Sequence, residues 1–273
     1  MRLSIVSKKS LALTCACLLF ILSALALFLF LRAQGERALA RGAASSGARM
    51  AGFPKLFLWA WERPERLEFI NPREVGVAYL SKTIYLRADK VIVRPRLQPL
   101  YVPKGTTLVA VVRIEALHDE TPALSDEHRA RVVEALLEAA SAPNVSALQI
   151  DFDALQSERE FYKRLLQDLR ARLPQAMPLS ITALASWCVD DNWLEGLPID
   201  EAVPMLFQMG LDDERIKSYL SKGGAFRSPL CRLSKGVSTD EPLTNIPRGA
   251  RTYVFHAKPW TDGEVRRAIE RNR

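Results

Sequence analysis

Short apolar runs rich in β-branched and aromatic residues recur along residues 53–273, and turn residues separate them. Runs of this kind are typical of buried strands. Eight of them stand out: Leu56–Trp61, Val75–Leu80, Thr107–Ile114, Val145–Phe152, Leu179–Leu184, Ala202–Met209, Leu233–Ser238 and Thr252–His256. Helical patterns follow several of these runs, and this alternation predicts β/α units around a parallel sheet.

Helix-start signals support the same organisation. Helices are predicted to begin at Ser125, at Ser157 with Glu160 as a capping box, and at Thr261 with Glu264 as another, and a shorter helix is predicted over 212–221. Between the second and third strands, the pattern predicts a hairpin around Ala88-Asp89 instead of a helix. We therefore predict an α/β fold, a degenerate (β/α)8 TIM-like barrel over residues 53–273. The alternative is an open doubly wound sheet, but no glycine-rich nucleotide loop follows the first strand.

The N-terminal segment Leu11–Leu31 contains 21 residues without a charge. As a helix it would span roughly 31 Å, the thickness of a bilayer core. Residues 1–31 are thus predicted to be a transmembrane signal anchor that holds the exported domain in the cell envelope, on the periplasmic side of the inner membrane. The alternative is a cleaved signal, with Ala38-Leu39-Ala40 as the cleavage site and a secreted product. The Arg-, Ala-, Gly- and Ser-rich residues 32–52 are predicted to form a flexible tether.

The net charge of +7 is concentrated in the N-terminal segment. Residues 1–52 carry seven Lys or Arg and one Glu, a net of +6, which leaves 31 basic and 30 acidic side chains, a net of +1, in the remaining 221 residues. The body of the protein therefore lacks the basic surface that nucleic-acid binding requires, and we expect no nucleic-acid partner.

Two cysteines, Cys188 and Cys231, lie outside the apolar segment. Export to an oxidising compartment would permit a disulfide between them. The alternative is two small buried residues, because sequence does not reveal whether their Cα atoms approach closely enough.

Two acidic residues close the fourth predicted strand. Alternation sends Leu148, Ile150 and Phe152 to one face of that strand and sends Gln149, Asp151 and Asp153 to the other. In a barrel the second face points inward, so the two carboxylates would lie about 7 Å apart at the carboxyl-end mouth. Burial beside a like charge raises a carboxyl pKa, as a general acid needs near neutral pH. The alternative to a catalytic role is a structural one, in which an Asp after the strand caps the next helix.

The segment Gln149–Asp153 resembles the fourth-strand signature Asp-Gly-x-Asp-x-Asp-x-Glu of family-18 glycoside hydrolases, the chitinase-like barrels, and Pro204–Met209 is similar to their sixth-strand Met-x-Tyr segment. Most of residues 53–273 resembles the bacterial family called domain of unknown function 3142. The matching stretches are Leu148–Ala154, Leu179–Leu184 with Trp187, Pro204–Gly210, Gly236–Ser238 with Asp240-Glu241-Pro242, and Tyr253–His256 with Trp260. The resemblance implies a glycosidase-like barrel and brings no established activity.

The departures from the signature concern its acidic positions. Asp153 stands where the chitinase-like enzymes keep their Glu proton donor, and Gln149 and Ser146 stand where they keep Asp. Asp151 matches the residue that orients the substrate's acetamido group in substrate-assisted catalysis. An ordinary two-carboxylate mechanism would need a partner from another strand end, and the candidates are Glu62, Glu115, Asp240 and Glu241, with Asp240 preferred.

Aromatic residues near predicted strand ends are candidate sugar platforms, because flat rings stack on sugar faces. They are Trp61, Trp187, Trp193, Phe207 and Trp260, of which Trp187 and Trp260 fall in loops just past strands. Gln149, Gln208 and His256 are further candidates for substrate binding. His118, His128 and His256 have no metal-ligand spacing, so neither a metal nor another cofactor is expected.

The sequence supports three hypotheses. The first is an envelope-anchored, glycoside-hydrolase-like protein that acts on a polysaccharide or oligosaccharide, with Asp153 as general acid, Asp151 as its tuning or positioning partner, and Trp61, Trp187 and Trp260 as binding residues. The second is a catalytically inactive barrel that binds glycan or an envelope partner, because the signature Glu is missing. The third is a scaffold whose only role is membrane-tethered assembly.

Overall fold

The computed structural model describes residues 48–241 and 250–272. Its strands are β1 Leu56–Ala60, β2 Glu65–Arg66, β3 Val75–Arg87, β4 Lys90–Pro95, β5 Leu100–Tyr101, β6 Leu108–Ala116, β7 Val145–Asp151, β8 Leu179–Leu184, β9 Glu201–Met205, β10 Ser234–Ser238 and β11 Arg251–Phe255. Its helices are α1 Asp126–Ala140, α2 Arg159–Arg172, α3 Ala185–Val189, α4 Asp213–Ser221 and α5 Asp262–Asn272.

Eight strands close into a parallel barrel. The order is β1-β3-β6-β7-β8-β9-β10-β11, and β11 pairs with β1 to complete the circle. Every pairing between neighbours in this circle is parallel. Each barrel strand coincides with one of the eight predicted runs, so the predicted α/β barrel is confirmed. The predicted hairpin is confirmed as well, since β4 pairs antiparallel with the long strand β3.

Strand alternation divides the core into an outer and an inner part. Leu148, Ile150 and Phe152 pack outward in the large cluster that includes the apolar faces of α1 and α2. Large rings fill the barrel interior, where Tyr253 stacks on both Phe57 and Trp59. The inward face of β7 therefore meets an aromatic interior and opens into the mouth of the barrel.

Two of the three predicted helix caps are confirmed. Ser125 caps α1 by accepting the amide of His128, and Thr261 accepts the amide of Glu264 before α5. The capping box predicted at Ser157 and Glu160 is wrong. A 3-10 turn, Gln156–Glu158, precedes α2, and the Glu158 carboxylate accepts the backbone N–H of Leu155 instead.

Contacts at the amino-terminal end of the barrel begin before the first strand. Arg49 forms an ion pair of 2.7 Å with Asp200, and Met50 is buried. The Met50 carbonyl accepts a hydrogen bond from the buried Arg251 guanidinium. The same guanidinium forms an ion pair of 2.9 Å with Glu201. The last residues of the expected tether thus pack against the barrel.

The predicted anchor, Leu11–Leu31, and residues 1–47 as a whole lie outside the described residues. In the part of the chain that is described, no helix combines the length and the apolar character needed to cross a membrane.

Cys188 and Cys231 form a disulfide, with their Cα atoms 5.9 Å apart and a sequence separation of 43. The bond joins the end of α3 to the 3-10 turn Pro229–Arg232, and both cysteines are fully buried. Of the two alternatives left open by the sequence, the structure supports the disulfide.

Candidate active site

A cavity of ≈ 250 Å³ opens at the carboxyl ends of the barrel strands. Its two sides differ in chemistry. The polar side includes Arg113, Asp151, Asp153 and Thr182, and the aromatic side is formed by Trp59, Trp61, Phe207 and Phe255. Active sites of (β/α)8 barrels are built at this face, because the strand ends and following loops converge there.

Asp151 is the buried member of the acidic pair. The Thr182 hydroxyl donates to its Oδ1 at 2.7 Å, and the Arg113 guanidinium lies 3.9 Å from its Oδ2. Burial raises the pKa of Asp151, against the opposing effects of the Thr182 hydrogen bond and the Arg113 charge. Thr182 and Arg113 therefore fix the orientation of this carboxyl in the cavity wall.

Asp153 projects from the end of the same strand and is the exposed member of the pair. Among the described residues no side chain or amide donates a hydrogen bond to its carboxyl. The surrounding protein nevertheless desolvates it, and together with the neighbouring Asp151 charge this raises the pKa of Asp153 to about 6. A carboxyl of this kind retains a proton closer to neutral pH than an ordinary Asp and is free to transfer it.

Arg113 is the only cation among the described residues that line this cavity. Its guanidinium lies 2.6 Å from Glu115 and faces Asp151. Most of its charge is thus matched by protein carboxylates, and the Asp153 carboxyl is left without a close cationic partner among the described residues.

The aromatic side is a stack of rings. Phe207 and Phe255 are parallel within 7°, with centroids 5.6 Å apart, and Trp61 meets Phe255 edge-on at 6.3 Å. Trp61 and Phe255 are half-buried, so part of each ring is exposed to the cavity. Flat exposed rings opposite carboxyl groups are the arrangement that binds a sugar face and reads its hydroxyls.

Gln149 lies beneath the cavity and does not line it. Its Oε1 accepts the Trp59 indole N–H at 2.9 Å, and its Nε2 donates to the Ser180 hydroxyl at 3.1 Å. Gln149 is fully buried, so its contacts orient the Trp59 ring at the floor of the cavity. Gln208, by contrast, lines the cavity, and its backbone adopts a positive φ of 52°.

Five further sequence candidates do not line the cavity: Trp187, Trp193, Trp260, His256 and Asp240. Trp187 is 3% exposed and packs edge-on against Trp193, and Trp260 is 4% exposed with its indole N–H donated to the Trp59 carbonyl. Neither ring has a free face, so both are packing residues and not sugar platforms. His256 is buried against Trp260 and bonded to the Thr239 hydroxyl. Asp240 is not among the described residues that line the cavity.

The remaining acidic candidates have structural partners. Glu115 pairs with Arg113, and the Glu241 carboxylate accepts the Gln208 amide. The Glu62 carboxylate accepts the backbone N–H of Leu97 at 3.5 Å. Asp151 and Asp153 are therefore the acidic residues that the strand pattern correctly placed in the cavity, whereas Arg113, Thr182 and Phe255 were not singled out. All three occupy the ends of predicted strands, where alternation could have identified them.

The cavity can hold a neutral sugar between an aromatic wall and a carboxyl whose pKa is raised to about 6. No group of three or more His, Cys, Asp or Glu side chains within residues 48–241 and 250–272 is arranged to hold a metal ion.

These features define a parallel eight-stranded barrel with an acidic pair at its carboxyl-end mouth. The profile of the family described as "Domain of unknown function (DUF3142)" matches residues 104–207, a stretch that begins before β6, ends after β9 and includes both acids. The expected resemblance to that family is thereby confirmed.

Among solved structures, the chain is similar to the crystal structure of the Bacillus cereus spore cortex-lytic enzyme SleL. The identity is 16%, the TM-score is 0.42, and the match covers 66% of this chain and 50% of that one. The chain thus spans about half the length of that structure. No curated protein matches the sequence.

Proposed function

We propose that this protein is a glycoside hydrolase that cleaves a polysaccharide, with Asp153 as its general acid. One observation carries the proposal: an Asp carboxyl with a pKa raised to about 6 stands opposite an aromatic wall in a cavity at the catalytic face of a (β/α)8 barrel. The fold alone would not support it, since the same barrel hosts many chemistries.

In the proposed reaction, Asp153 gives its proton to the glycosidic oxygen as the bond from that oxygen to the anomeric carbon breaks. Water then adds its hydroxyl group to the anomeric carbon and returns its proton to the Asp153 carboxylate. Positive charge that develops on the sugar is stabilised by nearby carboxylate, and Asp151 is the group positioned to do so.

The carboxyl groups of the cavity favour a substrate-assisted route over a two-carboxylate one. Asp240 is not among the described lining residues, and the further carboxyl that is, Asp212, forms an ion pair of 2.7 Å with Arg215. Asp151, fixed by Thr182, instead orients a substrate group such as an acetamido, whose oxygen bonds to the anomeric carbon as the glycosidic bond breaks and is then displaced by the incoming water.

We further propose that the reaction takes place in the cell envelope. The uncharged segment Leu11–Leu31 supports membrane anchoring, and the disulfide between Cys188 and Cys231 supports an oxidising compartment.

The test is the release of reducing ends by the full-length chain, purified in mild detergent, across a panel of bacterial and plant polysaccharides. Asp153→Asn should abolish release, because it cannot donate the proton, whereas Asp89→Asn, an exposed Asp on the β3–β4 turn, should leave it unchanged. Equal activity of Asp153→Asn and wild type would refute the assignment.

The second candidate function is glycan binding without cleavage. The observation that favours it is the short Asp side chain at the position where the resembling enzymes keep Glu. Binding of one polysaccharide by both wild type and Asp153→Asn, with no reducing ends released by either, would establish it.

A further inference from the structure

The loop that carries Trp61 is held by a side chain from a different part of the fold. Trp61 follows β1 directly and lines the cavity, and the chain then turns into the short strand β2. Carbonyl groups in such a loop need donors from other segments or from water. Arg96, the residue that follows β4, supplies them here.

The Arg96 guanidinium donates to carbonyls on both sides of the Trp61 ring. Its Nη1 donates to the carbonyl of Ala60 at 3.3 Å and to that of Trp61 itself, and its Nη2 donates to the carbonyl of Arg63. Its Nε donates to the Gln98 carbonyl at 2.8 Å. One planar group thus fixes three carbonyls of the loop at once, which the point charge of a lysine does not do.

Arg96 is itself fixed by the β3–β4 hairpin. Its backbone N–H donates to the Ser81 carbonyl on β3 at 2.9 Å, directly after the paired residues of β4. Within the described part of the chain, no carboxylate forms an ion pair with the Arg96 guanidinium. Its contacts are therefore with the backbone, and its role is to place that backbone.

The Trp61 ring depends on this placement. Its one ring contact among the described residues is edge-on with Phe255, with centroids 6.3 Å apart and planes at 85°. The ring is half-buried, and its indole N–H makes no hydrogen bond to a described residue. A single edge contact does not fix a ring, so its orientation in the aromatic wall follows from the position of its backbone.

The far end of the loop has a separate attachment. Arg63 donates to the His256 carbonyl at 2.6 Å and to the Ala257 carbonyl at 3.2 Å, and its guanidinium pairs with Glu65 at 2.6 Å. These contacts join the loop to the segment that follows β11. The loop therefore stays attached to the barrel without Arg96, and a substitution of Arg96 should displace Trp61 without unfolding the domain.

We propose that Arg96 is a positioning residue for Trp61 and holds its ring in place as a platform for a sugar unit. The sugar-binding role of that ring rests on the proposed function. Arg96 is not among the described residues that line the cavity, so it acts through the Trp61 backbone and not on the sugar. The β3–β4 hairpin thereby takes part in shaping the aromatic wall.

The first test observes the Trp61 ring without any ligand. The full-length chain is labelled with fluorotryptophan and studied by fluorine NMR. It contains five tryptophans, and Trp61→Phe identifies the signal of Trp61. We expect Arg96→Met to shift or broaden that signal and to leave unchanged the signals of Trp187 and Trp193, which pack against each other.

Two further variants separate positioning from charge. Arg94→Met is the matched control, because the exposed Arg94 lies on β4 and stacks on Tyr85; it should leave the Trp61 signal unchanged. Arg96→Lys keeps the charge but cannot span the three carbonyls, so it should still shift the Trp61 signal. Thermal unfolding establishes that each variant is folded, and Arg96→Lys serves as the test if Arg96→Met is not.

The second test measures whether Arg96 affects sugar binding through Trp61. Calorimetry gives the affinity for the N-acetylglucosamine hexamer of chains that carry Asp153→Asn to prevent turnover and that have Arg96→Met, Trp61→Ala, both or neither. Arg96→Met should weaken binding about fivefold, because a displaced ring must be ordered again on binding. Trp61→Ala should weaken it about tenfold, and adding Arg96→Met should weaken it no further.

The outcomes separate this inference from the proposed function. An unchanged Trp61 signal in Arg96→Met, its full restoration by Arg96→Lys, or additive losses in the binding cycle would overturn the inference, even if the wild-type chain cleaves a polysaccharide. A shifted Trp61 signal and coupled losses of hexamer binding, with no reducing ends released from any polysaccharide, would support the role of Arg96 and refute the hydrolase.

Discussion

The substitution Gly236→Ala tests whether the floor of the cavity is as tightly packed as described. A Cβ at residue 236 on β10 would lie 2.8 Å from Cη2 of Trp59, 3.2 Å from its Cζ3 and 3.4 Å from the Pro204 carbonyl oxygen. Unstrained carbon atoms approach to about 3.5–4.0 Å, so the ring or the strand must move by several tenths of an ångström.

The Trp59 ring cannot move away without losing contacts. Trp59 is 2% exposed, stacks on Tyr253 with centroids 5.4 Å apart, and is tied to Gln149 by its indole N–H. Overpacking of this kind costs about 1–3 kcal/mol, whereas the loss of glycine flexibility in the unfolded chain returns only about 0.4–1 kcal/mol. We expect a net loss of about 1–2 kcal/mol in the free energy of unfolding, which lowers Tm by about 2–8 °C in a domain of this size.

The assay is thermal unfolding of the full-length chain followed by circular dichroism. Gly52→Ala is the control, because a Cβ there meets nothing within 4 Å, and it should leave Tm unchanged or slightly raised. Because Trp59 lines the cavity, Gly236→Ala should also weaken saccharide binding. Wild-type Tm in Gly236→Ala would refute the packing described for the barrel interior.

Four further predictions concern the site and its frame. A general acid must be protonated, so kcat/KM of the proposed reaction should fall about tenfold per pH unit as pH rises above the Asp153 pKa of about 6; a flat profile from pH 5 to 8 would exclude that role. Trp61→Ala should weaken oligosaccharide binding about tenfold, measured by calorimetry, whereas Trp187→Phe should change only stability. Glu201→Gln leaves the buried Arg251 without its ion pair and should cost about 3–5 kcal/mol in urea unfolding. Cys231→Ser opens a loop of 43 residues and should cost about 4 kcal/mol, an effect that reductant reproduces in wild type.

Much of the barrel could be predicted because strand alternation and buried apolar runs are local signals. The same alternation placed Asp151 and Asp153 on the inner face of β7, where the structure has them. It could also have indicated Arg113 and Thr182, which follow the same inward pattern at the ends of β6 and β8. Whether Asp153 acts as an acid stays a prediction.

The errors arose where the position of a side chain depends on distant contacts. Trp187 and Trp260 follow strands in sequence, but α3 turns Trp187 toward Trp193, and a hydrogen bond to the Trp59 carbonyl draws Trp260 into the wall of the barrel. The cap at Ser157 was missed because a 3-10 turn shifts the helix start. Such long-range packing leaves no local periodicity in the sequence.

Proton donation by Asp153 is tested by how the effect of Asp153→Asn depends on the leaving group. The substrates are two glycosides of the same sugar, one with a sugar leaving group that needs protonation and one with an acidic nitrophenol that does not. If Asp153 is the general acid, Asp153→Asn should lose about 100-fold or more in kcat/KM on the first and far less on the second. Equal losses on both substrates would contradict the account, because Asp153 would then act in binding or structure and not in proton transfer.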